Sequence, residues 1–465
     1  MASLTYMQLL RGNRSFRRLL SGQVVSELGN WFNFIAGLGL VRAVSAAAPE
    51  ATAIMMVARM APFALIAPLA GAFVDRWSRR RVMVATDVAR SVVALGFLFV
   101  GDAEDLWIAY ACTIISTALA AFFEAAKNAA TPNIAGDDGL LAGNALMFSS
   151  RFLLMSLGAA LGGWASARFG YQAAFIINAL SFIVSAYSIW LIPEELMTKD
   201  ESAVGEEVEG RERESASDDG AVAGRAGAGA SERQPFWHDL REGWAFIARH
   251  PLVAALVGMN VMWAIGGGAC ALVYDRFGGV VFAGRGGLQG DAGVAALYTA
   301  VGAGVFAGML LSRRVGAHIE LRGATVPFIG WMMIAHGVLF AFGALMPSLW
   351  SVGVMFFLSR FVIGMEFALQ ETLLMRLLPD RLRGRVMTTD RAAEIFILSV
   401  STIVSGWALH AITPRTLALV SGLLSATPGI IWLTLFAWGK LRLPLEIERQ
   451  RESEPDEEAL LASAG

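Results

Sequence analysis

The sequence predicts an all-α integral membrane protein whose twelve transmembrane helices form two six-helix halves. Three observations predict this fold class. Hydrophobic residues make up 56% of the 465 residues, and charged residues only 16%. Apolar runs recur along the chain, and each is long enough to cross about 30 Å of hydrocarbon. Arginine and lysine gather in alternate loops between these runs, as they do in multi-pass membrane proteins.

The apolar runs place the spans in order along the chain. They cover residues 18–42, 52–74, 82–100, 106–130, 143–166, 171–193, 252–274, 292–312, 324–345, 348–375, 386–411 and 415–438. The loops that carry residues 76–81, 313–314 and 381–385 are basic, whereas the loops between them hold single arginines. Because basic loops stay on the cytoplasmic side, we expect a multi-pass protein of the inner or plasma membrane with both termini in the cytoplasm.

Composition divides the chain further. We expect residues 1–193 to form the N-terminal six-helix bundle and residues 251–440 the C-terminal bundle, with both embedded in the lipid bilayer. Residues 194–235 are charged, rich in Gly, Ala and Ser, and poor in large apolar side chains, which predicts a disordered cytoplasmic linker. Residues 236–250 place apolar side chains at helical spacing and predict an interfacial amphipathic helix. Residues 441–465 are polar and predict a cytoplasmic tail.

The sequence argues against covalent chemistry. It contains no phosphate-binding loop, no nucleophile elbow and no His-Glu-x-x-His pair. Cys112 and Cys270 both lie in apolar runs, which argues against a disulfide or a cysteine-ligated metal. A net charge of −2 gives no reason to expect nucleic acid. We therefore expect no enzyme, cofactor or metal, and a monomer that handles a small molecule; a polytopic membrane enzyme or a sensor is the alternative from another class.

The loop between the second and third spans combines a glycine, an acid and several arginines. Gly71, Asp75, Arg76 and Arg79-Arg80 resemble the signature loop of the major facilitator superfamily, Gly-x-x-x-Asp-Arg-x-Gly-Arg-Arg, with Ser78 in place of the second glycine. A loop that only sets membrane orientation is the simpler alternative. A partial second copy at 312–314 agrees with the two parallel six-helix repeats of that superfamily.

Other stretches resemble its drug, macrolide and siderophore exporter branch. They are residues 13–23, Asp87-x-x-Arg90, residues 144–151, residues 174–182 and residues 379–386. Two features depart from the branch: Asn30 replaces an aspartate, and residues 158–163 lack a proline. The resemblance implies a transporter that exports an amphipathic small molecule, with proton-coupled antiport as the first expectation. A lysophospholipid flippase or a nutrient facilitator of the same fold stays open.

A gating role is expected for the basic loop and for two charged residues of the third span. Asp75 should lie at the inner end of the second span, and the eleventh span should begin just after Arg385. A carboxylate docked on that helix start would gain a few tenths to about 2 kcal/mol from the helix dipole and would hold the inside closed. The proposed latch set is Gly71, Asp75, Arg76, Arg79, Arg80, Asp87, Arg90, Arg383 and Arg385.

Charges within the spans are candidates for the substrate or proton site, because a charge in hydrocarbon is costly. Glu27 shares one helical face with two polar residues, and we expect it to bind substrate or a proton with Arg151 or Arg59 as its partner. A static salt bridge between helices is the alternative. Resemblance adds two residues of the tenth span. The full candidate set is Gln23, Glu27, Asn30, Arg59, Arg151, Arg360 and Glu366.

Four charged residues lie nearer the inner ends of the fourth and tenth spans. Ion pairs at these ends would close the inner side, so we expect an inner gate formed by Glu124, Lys127, Glu371 and Arg376. His336 and His410 stand alone in apolar stretches, and we expect them to be packing or near-interface residues rather than ligands.

Overall fold

The computed structural model describes residues 5–74, 76–197, 236–284, 288 and 291–441, and every regular element within them is helical. The first half follows a short α1 (Tyr6–Gly12). It contains α2 (Arg14–Val44), α3 (Pro49–Val74), α4 (Arg79–Leu95), α5 (Leu106–Ala135) and α6 (Asp137–Trp190). After α7 (Phe236–Arg249), the second half contains α8 (Pro251–Arg276), α9 (Ala292–Leu321), α10 (Thr325–Leu345), α11 (Leu349–Leu377), α12 (Asp380–Ala408) and α13 (Pro414–Ala437).

These helices account for twelve spans. Among the described residues, ten helices are long and apolar enough to cross a membrane. One of them, α6, contributes two spans, because Gly170 has φ 81° and ψ 169° and breaks the helix. α12, with 29 residues and its charges in its first half, is the remaining span. The predicted fold class, all-α with two six-helix halves, is confirmed.

Two helices extend beyond the predicted spans. α9 continues through Arg313 and Arg314, which were expected in a loop, and it ends before Gly323 at φ 65°. α12 begins at Asp380 rather than after Arg385, so its arginines lie within its first turns. Arginine is a good helix former, and Pro379 at the N-cap supplies an extended residue before the helix. Hydropathy marks where a helix leaves the membrane, whereas caps and propensity decide where it ends.

Small residues bring the helices of the two halves close together. α6 packs against α9, and α3 packs against α12. At Gly302 a Cβ would lie 2.7 Å from the backbone nitrogen of Ser156, and at Gly406 one would lie 2.8 Å from the Cβ of Ala53. Such spacing leaves no room for a larger residue, which is how membrane helices approach closely.

The segments outside the two bundles are described in part. α7 lies along α12 and α8, with Ile247 buried. Residues Glu194–Met197, at the start of the predicted linker, form a 3-10 turn with Met197 buried. The rest of the predicted linker, 198–235, and the predicted tail beyond residue 441 lie outside the described residues.

Candidate functional site

The two halves are joined at one end of the molecule. We call the face that carries residues 76–81 the basic end and the opposite face the far end. At the far end a single hydrophobic core contains side chains of both halves, such as Ile35 and Leu38 with Phe277 and Phe356. Towards the basic end, one core draws only on residues 9–197 and another only on residues 247–441. The halves therefore share a core at the far end and keep separate cores at the basic end.

Four buried charged residues cross the interface at the far end, and we call them the far-end quartet: Arg42, Asp275, Arg276 and Asp291. Arg42, from the first half, forms ion pairs with both Asp275 and Asp291 of the second half. Arg276 pairs with Asp275 at 2.6 Å and reaches back to the first half, donating to the Ala47 carbonyl at 2.6 Å. Two cations and two anions are thus buried together without excess charge.

The backbone around the quartet is shaped to hold it. Ala46 and Ala47 have φ of 51° and 62°, a left-handed conformation that alanine rarely adopts, and this turn presents the Ala47 carbonyl to Arg276. On the other side, a Cβ at Gly279 would lie 2.5 Å from Nε of Arg42. The passage of the Arg42 side chain therefore depends on that glycine.

An aromatic layer lies beneath the quartet and also joins the halves; it consists of Trp31, Phe34, Tyr274, Tyr298, Phe340 and Phe356. Phe34 packs edge-on against Tyr298 with 5.3 Å between ring centroids, and Tyr274 lies 5.3 Å from the same ring. Edge contacts of this kind stabilise a packed layer beyond simple burial.

One arginine from each half borders this aromatic layer. The Arg59 guanidinium lies 4.4 Å from the Phe34 ring centroid and 5.5 Å from that of Trp31. Arg360 donates to the Tyr274 hydroxyl at 2.8 and 2.5 Å. The predicted candidates Arg59 and Arg360 thus lie at the same layer, on opposite sides of the interface.

The other predicted candidates of the first half form a loose charge cluster. Glu27 is half-buried and interacts electrostatically with Arg59 and Arg90. Arg151 is exposed on α6 and interacts in the same way with Arg59 and Glu124. Neither Glu27 nor Arg151 forms a hydrogen bond or ion pair with a described residue. Glu27 therefore lies near the expected arginines without a direct hydrogen bond or ion pair to either of them.

The polar face of α2 makes direct contacts to its neighbours. The Asn30 side-chain oxygen accepts from Nη2 of Arg90 at 3.1 Å, and Gln23 donates to the Met147 carbonyl at 3.5 Å. Arg90 is buried with Asp87, whose carboxylate lies 3.5 Å away, and its guanidinium lies over the Phe182 ring. The predicted gating pair Asp87–Arg90 therefore lies inside the first half.

The basic loop packs onto its own half. Arg79 donates to the Ala129 carbonyl at 2.8 Å, and the Arg80 guanidinium lies 5.9 Å from the Trp190 ring centroid. Ser78 donates to Glu194 at 2.7 Å. Gly71 lies in the last turns of α3, where an added Cβ would meet no atom within 4 Å, and Arg76 is exposed. Asp75, the central residue of the predicted latch, lies outside the described residues.

The predicted inner-gate residues pair within each half. Lys127 and Glu124 form an ion pair of 2.7 Å along α5. Arg376 pairs with Glu320 of α9 at 3.3 Å rather than with Glu371. Glu371 is half-buried and interacts electrostatically with residues of α12. In this conformation the ion pairs brace each half separately.

The second half buries one predicted acid without a counter-charge. Glu366 is 1% exposed, and its Oε1 has no hydrogen-bond partner among the described residues. Two helical turns before it on the same face of α11, Ser359 forms a hydrogen bond with His336 of α10, and Trp263 donates to Nε2 of His336 at 3.2 Å. His336 is thus a packed residue, as expected, and His410 pairs at the surface with Glu50 at 3.0 Å.

Sequence reasoning missed the far-end quartet and a polar group on α12. Asp390 is 5% exposed and accepts from the Asn260 side chain of α8 at 2.9 Å, and Asn260 in turn accepts from Gln370 of α11 at 2.9 Å. Arg391, the next residue, forms an ion pair of 2.6 Å with Glu394, which lies one turn further on. Three charges within five residues of an otherwise apolar span were a signal that could have found this group.

Curated transporter proteins match parts of the chain. The uncharacterized MFS-type transporter YfiS of Bacillus subtilis is 27% identical over 189 residues, 40% of this chain and 44% of that protein. BacE of Bacillus subtilis, named as a proposed bacilysin exporter, is 27% identical over 183 residues, 39% of this chain and 45% of its own length. The MFS-type transporter Rv0037c of Mycobacterium tuberculosis is 30% identical over 155 residues. The chain spans less than half the length of these curated relatives.

Solved structures resemble the fold over most of the chain. A POT family transporter in complex with a thioalcohol-conjugated peptide superposes with a TM-score of 0.65 at 10% identity, covering 91% of this chain and 96% of the other. The nucleoside transporter NupG gives 0.65 at 13% identity, covering 90% and 99%. At identities this low, the superposition shows a shared fold and nothing about substrates. The model of the Major Facilitator Superfamily matches residues 19–389, and the chain belongs to that superfamily.

Proposed function

We propose that the chain is a secondary active transporter that moves an amphipathic small molecule across the membrane by alternating access. The observation that carries the proposal is the interface itself: among the described residues, a hydrophobic core shared by both halves and the far-end quartet close it at the far end, whereas the cores towards the basic end are separate. Rocking of two six-helix halves about such an interface opens one end as the other closes. The aromatic layer with Arg59 and Arg360 is the proposed boundary of the substrate site on the side of the far end.

The basic end is proposed to face the cytoplasm, because basic loops stay on that side. Both termini would then be cytoplasmic. The linker of residues 194–235 would connect the bundles of residues 1–193 and 251–440 on that side, and the tail of residues 441–465 would follow the second bundle there. In this orientation we propose that the structure, closed at its far end, represents the inward-facing conformer. The quartet holds the outer side closed in this conformer.

The opposite conformer would need a latch at the basic end. We retain Asp75 as its carboxylate, with the start of α12 as the acceptor. Because α12 begins at Asp380, the arginines Arg383 and Arg385 project from its first turns instead of preceding it. Arginines on that turn and a positive helix end both attract an acid. In this proposal the latch holds the basic end closed, as the quartet holds the far end closed.

We propose further that transport runs outward and is coupled to protons. Export is supported by the exporter-branch resemblance and by the likeness to BacE over 39% of the chain. Glu366 suits the proton role, because a carboxyl buried without a cation is stable in its neutral form and would release a proton once hydrated. Glu27, which lies among arginines, suits contact with the substrate or a structural ion pair.

Transport by purified protein in proteoliposomes tests the proposal. With an imposed pH gradient, a panel of lipophilic cations, macrolides, siderophores and lysolipids should include one class that accumulates against its own gradient. Glu366→Gln should abolish that accumulation while leaving downhill exchange. Movement that ignores the pH gradient would reject proton coupling, selective movement of lysolipids would identify a flippase, and no movement of any compound would contradict transport.

A further inference from the structure

We propose that the substrate is a zwitterion with an apolar body, whose ammonium group binds an acidic group of side chains on α11 and α12 and whose anionic group binds the arginines of the first half. This inference rests on the proposed transport function and names its substrate class. The acidic group consists of Glu371, Asp390 and Glu394, with Arg391 among them.

The middle third of α12 carries its charged side chains on the side of the helix that faces away from lipid. Its lipid-facing stripe is marked by exposed apolar side chains at Phe396, Val404 and Trp407. At about 3.6 residues per turn, Arg391 and Glu394 point to the opposite side of the helix. The Arg391 side chain is 59% exposed, and an exposed charge at this depth needs water rather than hydrocarbon. The pair therefore borders an aqueous space.

The charges of this wall do not balance. Among the described residues, three acids share one arginine, and the Coulomb interactions of Glu371 with Arg391 and Glu394 place them as one group. Asp390 is the least satisfied member. It is 5% exposed, its Oδ2 accepts from Asn260, and its Oδ1 has no hydrogen-bond partner among the described residues. A buried acceptor left unpaired calls for a donor, and a ligand ammonium supplies three.

The wall of the first half has the opposite excess. Within the cluster of α2, α3, α4, α5 and α6, four cations interact with three acids. The pairs Asp87–Arg90 and Glu124–Lys127 account for two of each, which leaves Glu27 with both Arg59 and Arg151. Arg59 also lies against the rings of Phe34 and Trp31. An anionic group beside an apolar body fits this corner.

Only a molecule with both charges satisfies both walls. A simple cation would pair with the acidic group but would leave the arginine excess opposite it, and a simple anion would do the reverse. Charges of both signs on one ligand would offset the excess that each wall keeps after its internal pairing. The apolar body would lie between them against the aromatic layer.

The test uses three probes with one body: the dipeptide Phe-Ala as the zwitterion, its C-terminal amide as the cation, and its N-acetyl form as the anion. Binding to purified protein is followed by tryptophan fluorescence, and transport by counterflow in proteoliposomes. The zwitterion should bind about tenfold or more tightly than either blocked form, as expected for lost hydrogen bonds to charged groups. Equal binding of the zwitterion and either blocked form would overturn the proposal.

Two variants test whether the acidic group on α11 and α12 binds the ammonium of the ligand. Glu394→Gln and Glu371→Gln should each lower the affinity for the zwitterion and the amide about tenfold and leave that for the N-acetyl form unchanged. The matched control is Glu320→Gln, which removes an acid of the same half that pairs with Arg376 away from this wall. Equal losses for all three probes would show a merely structural role and reject the site, with thermal unfolding confirming that each variant is folded.

The outcomes separate this inference from the proposed function. Binding with the expected charge preference but no counterflow would support the zwitterion site and contradict transport. Counterflow of other compounds without any response to Phe-Ala or its blocked forms would support transport and reject the zwitterion.

Discussion

Substitution of Asp275 by asparagine measures how strongly the far-end quartet stabilises the conformer that is closed at the far end. Asp275 is completely buried and pairs with Arg42 and with Arg276. The asparagine keeps the volume but leaves two buried cations facing the single carboxylate of Asp291. Removing one partner of a buried, hydrogen-bonded charge pair costs about 2–5 kcal/mol. The closed far end should therefore lose roughly thirtyfold or more in population relative to the open one.

The labelling rate of a cysteine placed at Ser156 measures this opening of the far end. Ser156 is buried at the contact of α6 with α9, where its hydroxyl donates to the Thr299 carbonyl at 3.0 Å. With Cys112 and Cys270 replaced, a membrane-impermeant maleimide added from the far side should label Ser156→Cys slowly in the parent and much faster with Asp275→Asn. Glu104→Gln, an exposed acid of a far-end loop, is the matched control.

A double-mutant cycle completes the experiment. Arg42→Gln alone should also speed labelling, because it leaves Asp275 and Asp291 with only Arg276. Combined with Asp275→Asn, it should add less than its single effect, since the two residues share one ion pair. Labelling of Asp275→Asn at the rate of the Glu104→Gln control would refute the role of the quartet in holding the far end closed.

Three further predictions test separate parts of the structure. Gly279→Ala would place a Cβ 2.5 Å from Nε of Arg42, so it should speed labelling in the same assay as Asp275→Asn does, though less. Glu366→Gln removes no partner found among the described residues, so it should leave Tm nearly unchanged while abolishing pH-driven accumulation. The hydrogen bond from Ser78 lowers the pKa of Glu194 below its ordinary value, so this contact is present at neutral pH and is lost as the pH falls through that lowered pKa. Ser78→Ala should raise the pKa, and hydrogen exchange should show the loop loosening at a higher pH than in the parent.

Each of these has an outcome that contradicts it. Unchanged labelling of Gly279→Ala would mean that the Arg42 side chain has room to shift. A large fall in the Tm of Glu366→Gln would show that this carboxyl has a structural role, and full pH-driven accumulation would remove it from coupling. Coincident pH profiles for the parent and Ser78→Ala would show that the hydroxyl does not act on Glu194.

The spans were predictable because burial in hydrocarbon demands an unbroken apolar helix. The first span was predicted at 18–42 and observed at Arg14–Val44, and the break between the fifth and sixth spans was placed at the glycine that makes it. The start of the eleventh span was wrong by about a turn and a half. Outside the bilayer, caps and helix propensity fix an end, and an apolar run carries no information about them.

The candidate site was predictable only in part. Glu27 and Arg59 stand out because a charge within a span is exceptional. Arg42 and Asp275 lie at span ends, where charges are ordinary, and their contact joins residues 233 positions apart. Such a pairing depends on how the halves pack, which local pattern does not contain. The Arg391–Glu394 pair lay within a predicted span and could have been found by the same rule as Glu27.

The composition of the quartet explains how a buried ionic contact can also be a movable one. Closing the far end removes two cations and two anions from water together, and their mutual attraction offsets most of the dehydration. Opening returns all four to water, so the two conformers differ by a small balance of large terms. Moving a population from 1:99 to 99:1 takes about 5.5 kcal/mol, slightly more than the upper end of the about 2–5 kcal/mol expected for losing one member of the quartet. An apolar contact of the same area would lose its hydrophobic stabilisation on opening and gain no favourable hydration in return, so a neutral ionic quartet suits an interface that must open in every cycle.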